Sequence, residues 1–149
     1  MHQFNPTILR AYDIRGEVGT TLQTEDAYAI GRTFSQLISE QQAQEKRDTP
    51  YRIAVGRDGR LTSPELAAAC IKGICDGGCD VIDIGVGPTP MLYFADRFFS
   101  CDAAIQITGI HNPKQFNGFK MVQNHASFFG EDIQRLGKIA DAGWNPAPA

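Results

Sequence analysis

The 149-residue chain is the size of one domain, and its 42% hydrophobic and 21% charged residues suit an ordinary globular core. A net charge of −3 excludes a general binder of nucleic acid or membrane surfaces, which needs excess Lys and Arg to neutralise phosphates. No apolar run approaches the roughly 20 residues that cross a bilayer, and the start, MHQFNPTILR, lacks a signal-peptide stretch, so a cytoplasmic location is the expectation.

Residues 8–16, ILRAYDIRG, read as an extended segment ending at Gly16. The spacing predicts a helix over 24–39. Thr24 can cap it, Glu25 and Asp26 suit its positive end, and Ala27, Ile30, Phe34, Leu37 and Ile38 form one apolar stripe. The polar stretch 40–50 reads as a frayed helix end and exposed loop. Residues 52–60, RIAVGRDGR, read as a short apolar strand running into a glycine-rich turn. A second helix is predicted over 62–78, capped by Thr62 or Ser63, with Pro64 in its first turn, Glu65 completing a capping box and Gly77-Gly78 as its stop. A strand follows at 80–85, then a helix opened by prolines at 88–99. The strand at 103–108 is almost continuously apolar, as expected when both faces are covered. Residues 117–130 predict a hairpin turning at Gln123-Asn124, and 131–140 a last short helix; the tail 141–149 reads as linker or chain end.

Cys70, Cys75, Cys79 and Cys101 form no C-x-x-C pair, which argues against a zinc ribbon or a thioredoxin-like site. The first three fall in one helical stretch and read as small buried thiols.

Strands and helices alternate. The class is therefore α/β: a three-layer α/β/α domain with a mixed, mostly parallel sheet and the hairpin as an antiparallel edge. There is no internal repeat and no G-x-G-x-x-G after a strand, so a dinucleotide fingerprint is absent. In such sheets, sites form where strands end. Three polar loops lie there: YDIRG (12–16), GRDGR (56–60) and TGIHNPKQFNGFK (108–120). They gather Arg15, Arg57, Arg60, Lys114 and Lys120, which suits an anion such as phosphate. Asp13, Asp58, Arg57 and Arg60 equally suit structural ion pairs that pin the loops, and His111 suits a structural hydrogen bond as well as catalysis.

In content and order, AYDIRG, VGRDGR with SPEL after it, VIDIGVGPTPMLYF and ITGIHNPKQFNGFKMV resemble the first domain of the α-D-phosphohexomutases, the phosphoglucomutase and phosphomannomutase family. The resemblance covers nearly all of residues 1–149, which would be domain 1 of four. It implies a reaction that interconverts hexose 1-phosphate and hexose 6-phosphate through a phosphoserine, a hexose 1,6-bisphosphate intermediate and a magnesium ion. The family's carrier loop reads Thr, a small residue, Ser, His, Asn, Pro. Here it reads Thr108, Gly109, Ile110, His111, Asn112, Pro113. Ile110 thus stands at the phosphoserine position, and both nucleophile and metal ligand are lost there.

By matching position, the resemblance implies that His111 and Lys120 assist proton transfer and that Arg15 is a cation of the cleft. It places Tyr12, Arg15, Asn112 and Lys120 against substrate. Thr108, Gly109, Pro113, Arg57 and Arg60 would support the loop. The chain alone is then expected to be inactive and to bind no magnesium tightly. Its apolar faces, left uncovered, would permit self-association. The rival expectation is a mutase-like binding or regulatory module without catalysis.

Overall fold

The computed structural model describes residues 1–41 and 49–146; residues 42–48 of the expected exposed loop lie outside the described residues, as do 147–149 of the tail. A 3-10 turn (Pro6–Ile8) leads to β1 (Ile14–Glu17), α1 (Thr24–Gln41), β2 (Arg52–Arg57) and α2 (Ser63–Asp76). Then follow β3 (Asp80–Val86), α3 (Thr89–Phe98), β4 (Ala103–Ile107), β5 (Phe116–Gln123), β6 (Ala126–Phe128) and α4 (Glu131–Ala142).

One sheet runs in the order β1-β5-β4-β2-β3, with β6 also paired to β5. β2 is parallel to β3 and β4, whereas β5 is antiparallel to β1, β4 and β6. The sheet is mixed, as expected, but its parallel part is confined to three strands. The antiparallel part exceeds one hairpin because β1 returns to pair with the first half of β5, setting Arg15 opposite Gly118.

From β2 the chain steps to β3, then back across β2 to β4. Right-handed crossovers in opposite directions put the intervening helices on opposite faces, which yields three layers. The strand residues divide by alternation accordingly. Ile53, Val55, Ile105, Phe119 and Met121 join Phe34 of α1, Ile74 of α2 and Leu136 of α4 in the larger core. Ala54, Ala104 and Val122 face the other way and meet Leu92 of α3 in a smaller one. The same crossovers bring the loops after β2 and β4 side by side at the carboxyl edge of the sheet, where Asp58 N–H donates to the Ile107 carbonyl at 2.9 Å.

Several local expectations change. Only the end of segment 8–16 is strand, from Ile14 on. Thr24 is the first residue of α1 rather than its cap, and the Asp26 carboxylate accepts the Gln23 N–H at 2.7 Å instead. Thr62 precedes α2 without a side-chain cap bond. The hairpin turns one residue later than expected, at Asn124-His125, both with positive φ (50° and 64°), as a primed two-residue turn requires. Cys79 lies beyond α2 and Cys75 is exposed, whereas Cys70, Cys79 and Cys101 are buried. Burial pushes the Cys70 thiol up to about 12, so it stays an inert core group.

Trp144 and Asn145 dock onto α1. Trp144 Nε1 donates to Thr33 Oγ1 at 2.8 Å, and Arg32 donates to the Asn145 carbonyl at 2.6 Å. On the outside of α3, Phe94 and Phe98 stack at 5.4 Å and remain exposed. Among the described residues no helix is long and apolar enough to cross a membrane.

Candidate active site

The chain leaves β4 in a tight turn. Asn112 donates its N–H to the Gly109 carbonyl at 3.0 Å and its Nδ2 to the same oxygen at 2.8 Å. Of the two central residues only Ile110 has positive φ, at 54°. Positive φ at the first central place of a turn favours glycine. Isoleucine is poorly suited to it, since left-handed backbone crowds Cβ and a branched Cβ worsens the crowding. The turn is held on both sides nonetheless. Ile110 N–H donates to Thr108 Oγ1 at 3.1 Å, and Thr108 N–H to the Gly118 carbonyl of β5 at 2.9 Å.

Arg60 clasps the turn from the neighbouring loop. Its Nη2 donates to the carbonyls of Ile110 (3.1 Å) and Asn112 (2.7 Å). Its Nη1 donates to those of Pro113 (2.7 Å) and Phe116 (3.1 Å). Its Nε pairs with Asp58 Oδ2 at 3.3 Å. The guanidinium packs so near the backbone that a Cβ on Gly109 would come within 2.1 Å of Arg60 Cζ, which explains the glycine.

Asp58 is the hub beneath. One oxygen accepts from Ser63 Oγ at 2.6 Å and Arg60 N–H at 3.1 Å; the other accepts from Gly109 N–H at 3.0 Å as well as Arg60 Nε. Burial pushes its pKa up, but hydrogen bonds from Ser63, Gly109, Arg60 and Thr108 outweigh burial and hold the carboxyl below its ordinary value. Ser63 also accepts from buried Asn117 Nδ2 at 2.9 Å, and Thr62 Oγ1 does likewise, tying β5 to the start of α2.

Arg15 reaches this network from β1. It pairs with buried Asp13 at 2.8 Å and touches Asn112 Oδ1 at 3.5 Å. His111, Pro113 and Lys114 are exposed at the tip. Half-buried Lys120 and exposed Tyr12 line a cleft of about 360 Å³, bordered by Tyr93, Ser127 and Phe129. The fold thus joins Thr108, Gly109, Ile110, Asn112, Pro113, Arg60 and Arg15 in one hydrogen-bonded unit. Arg57 stands apart from it: its ion pair is with Asp83 of β3, at 3.6 Å.

Sequence reasoning gave Asp58 only an ion-pairing role and gave Ser63 only a cap; Asn117 it merely grouped with the loop. Their shared signal is a run of small polar residues just past two strand ends, which identifies a network only once the loops are known to touch.

The donors do not make a magnesium site. Ile110 offers no oxygen, both oxygens of Asp58 are engaged, and Asp13 is paired with Arg15. Among the described residues no three His, Cys, Asp or Glu side chains group to hold a metal ion.

Fold and site define an α/β/α domain that presents one residue of a clamped turn beside half-buried cations. The profile described as "Phosphoglucomutase/phosphomannomutase, alpha/beta/alpha domain I" matches residues 6–143, and the chain belongs to this family as its domain I. It is 48% identical over 130 residues to a phosphomannomutase/phosphoglucomutase of Pseudomonas aeruginosa, covering 87% of this chain and 27% of that protein. It is 40% identical over 135 residues to a phosphomannomutase of Klebsiella pneumoniae, covering 87% of this chain and 80% of that sequence. A crystal structure of a phosphoglucomutase/phosphomannomutase family protein from Burkholderia thailandensis superposes with a TM-score of 0.84 at 39% identity, over 97% of this chain and 32% of that one. The chain therefore spans little more than a quarter of the length of the Pseudomonas relative.

Proposed function

We propose that the chain forms the carrier-loop domain of a hexose phosphate mutase, and that with isoleucine at position 110 it carries no phosphate itself. One observation supports this above the others. The turn at 109–112 is tied down by hydrogen bonds at Gly109, Ile110 and Asn112, clamped by Arg60, and holds Ile110 at a positive φ that a branched side chain disfavours. A turn of this kind presents a side chain rigidly outward, as a carrier needs for attack and return.

In the proposed whole protein, hexose 1-phosphate and hexose 6-phosphate interconvert through hexose 1,6-bisphosphate. A hydroxyl at position 110 would receive and return the phosphate. Exposed His111 and half-buried Lys120 take and give the proton at the sugar hydroxyl. Arg15, held by Asp13, lies beside Asn112 and balances the charge of the phosphate. Magnesium would need oxygen ligands that this chain does not supply. Isolated, the chain is inactive.

The test is the Ile110→Ser substitution in a chain of the relatives' full length. Hexose 1,6-bisphosphate should phosphorylate that serine, as mass spectrometry would show, and turnover of glucose 1-phosphate should appear. An unphosphorylated, inactive protein under conditions where a known mutase works would refute the reading.

A further inference from the structure

A second groove lies on the α3 face of the sheet, between that helix and the β5–β6 hairpin. It has a volume of about 280 Å³ and is lined by Tyr93, Asp96, Arg97, Val122, His125 and Ser127. Tyr93 and Ser127 also border the cleft of Lys120 and Phe129, so the two spaces adjoin. Hairpin register explains the floor. Val122 pairs with Ser127 and Met121 with Phe128, so His125, Ser127 and Phe129 alternate onto the side that Lys120 and Val122 share.

His125 is oriented rather than loose. Its Nδ1 lies 2.6 Å from Oδ2 of Asp96, a residue only 2% exposed. A carboxylate accepts, so Nδ1 carries a proton, and Nε2 is left for a ligand oxygen, to which it donates when the ring carries its second proton. The other oxygen of Asp96 is buried and has no hydrogen-bond partner. Arg97 is exposed one residue along α3 and has no ion pair among the described residues. His125, Arg97 and Ser127 thus line one groove, together with the half-exposed Tyr93.

We propose that this groove is a second ligand site, which takes a phosphate ester carried on a ring: the phosphate at His125 and Arg97, the ring against Tyr93. The guanidinium fork and an oriented imidazole suit phosphate oxygens, Ser127 adds a hydroxyl, and an aromatic face suits a sugar or base ring. Two sources share this chemistry, a sugar phosphate and a nucleoside monophosphate. None of these residues belongs to the hydrogen-bonded unit around Ile110, and the site does not rest on the mutase reading.

The experiment is a titration of the ¹⁵N-labelled chain with glucose 1-phosphate, uridine monophosphate and inorganic phosphate, each to millimolar concentration. Saturable amide shifts are expected at Arg97, His125 and Ser127 with one or both esters, and the better ester identifies the ring. Arg97→Gln, an exposed substitution that leaves the fold intact, should weaken binding about tenfold. His125→Gln should do the same while keeping a donor for Asp96. Shifts confined to Arg15 and residues 110–114 would overturn the proposal while leaving the mutase reading standing. So would inorganic phosphate binding as tightly as the esters, or Arg97→Gln binding unchanged. Absence of shifts at Arg97, His125 and Ser127 with every ligand would overturn it too.

Discussion

Arg60 Nη2 lies 3.1 Å from the carbonyl oxygen of Ile110, so position 110 is held by its backbone, whatever its side chain. The same guanidinium satisfies three more carbonyls and one carboxylate oxygen. Every donor of the fork is used, which leaves Arg60 as a clamp with no charge-bearing edge free for a ligand. Lysine cannot replace it, because three donors on a point charge do not span four carbonyls. Arg60→Lys should lose about 3 kcal/mol, the cost of several partly buried carbonyls left unpaired. A fall in the urea midpoint at constant slope would show this; a midpoint within error of the parent would contradict the clamp.

Ile110 itself carries strain that a better residue should relieve. Its φ of 54° costs an L-residue about 1–2 kcal/mol. Asparagine tolerates this backbone well, whereas valine keeps the branched Cβ. Half-burial of the isoleucine returns part of the gain. Ile110→Asn is expected to stabilise by about 1 kcal/mol, raising Tm by roughly 3 °C for a chain of this size. Ile110→Val should raise it not at all. Calorimetry on both variants decides, since equal melting points would remove the strain argument.

The contrast between those two residues marks what was readable beforehand. The helices at 63–76 and 131–142 stand close to their expected places, because caps, prolines and apolar stripes are local signals. The loop motif was legible for the same reason. The clamp was not, since Arg60 meets carbonyls some fifty residues away and no periodicity links them. β1 eluded the reading because a four-residue strand has too little alternation to declare its partner, and only pairing with β5 sets its direction. Arg57 shows how little local context decides: it shares the surroundings of Arg60 in sequence, yet it leaves β2 toward Asp83 in an ion pair.

Asp58 should make the loop acid-sensitive. Its folded-state pKa lies below the unfolded value, so the charged form is favoured by folding. The stability this contributes is complete above the unfolded carboxyl value of about 3.9 and is lost as pH falls through the lower folded value. Asp58→Asn should therefore destabilise the chain at neutral pH. The gap between parent and variant should narrow as pH drops below about 4. Denaturant titrations at neutral and acid pH measure the gap, and one that stays constant would show that the hydrogen bonds rather than the charge matter.

The last prediction concerns the docked tail. Trp144 is the only tryptophan of the chain. Its indole donates to Thr33, a wholly buried hydroxyl on α1, meets the Tyr28 ring edge-on at 6.0 Å and lies 5.7 Å below the Arg32 guanidinium. These contacts cover the outer side of α1, where Arg32 is also held by the Asn145 carbonyl. Removing the ring should cost about 2 kcal/mol through lost apolar contact and a stranded hydroxyl. Thr33→Val should cost less, about 1 kcal/mol, because the apolar contact of the ring is kept and only the indole N–H is left to find water. Because the fluorophore is unique, its emission reports docking directly. The native chain should emit to the blue of free tryptophan and shift red together with the loss of helical circular dichroism. A red emission maximum in the native chain, or Trp144→Ala unfolding at the parent's urea midpoint, would mean that the tail does not hold α1.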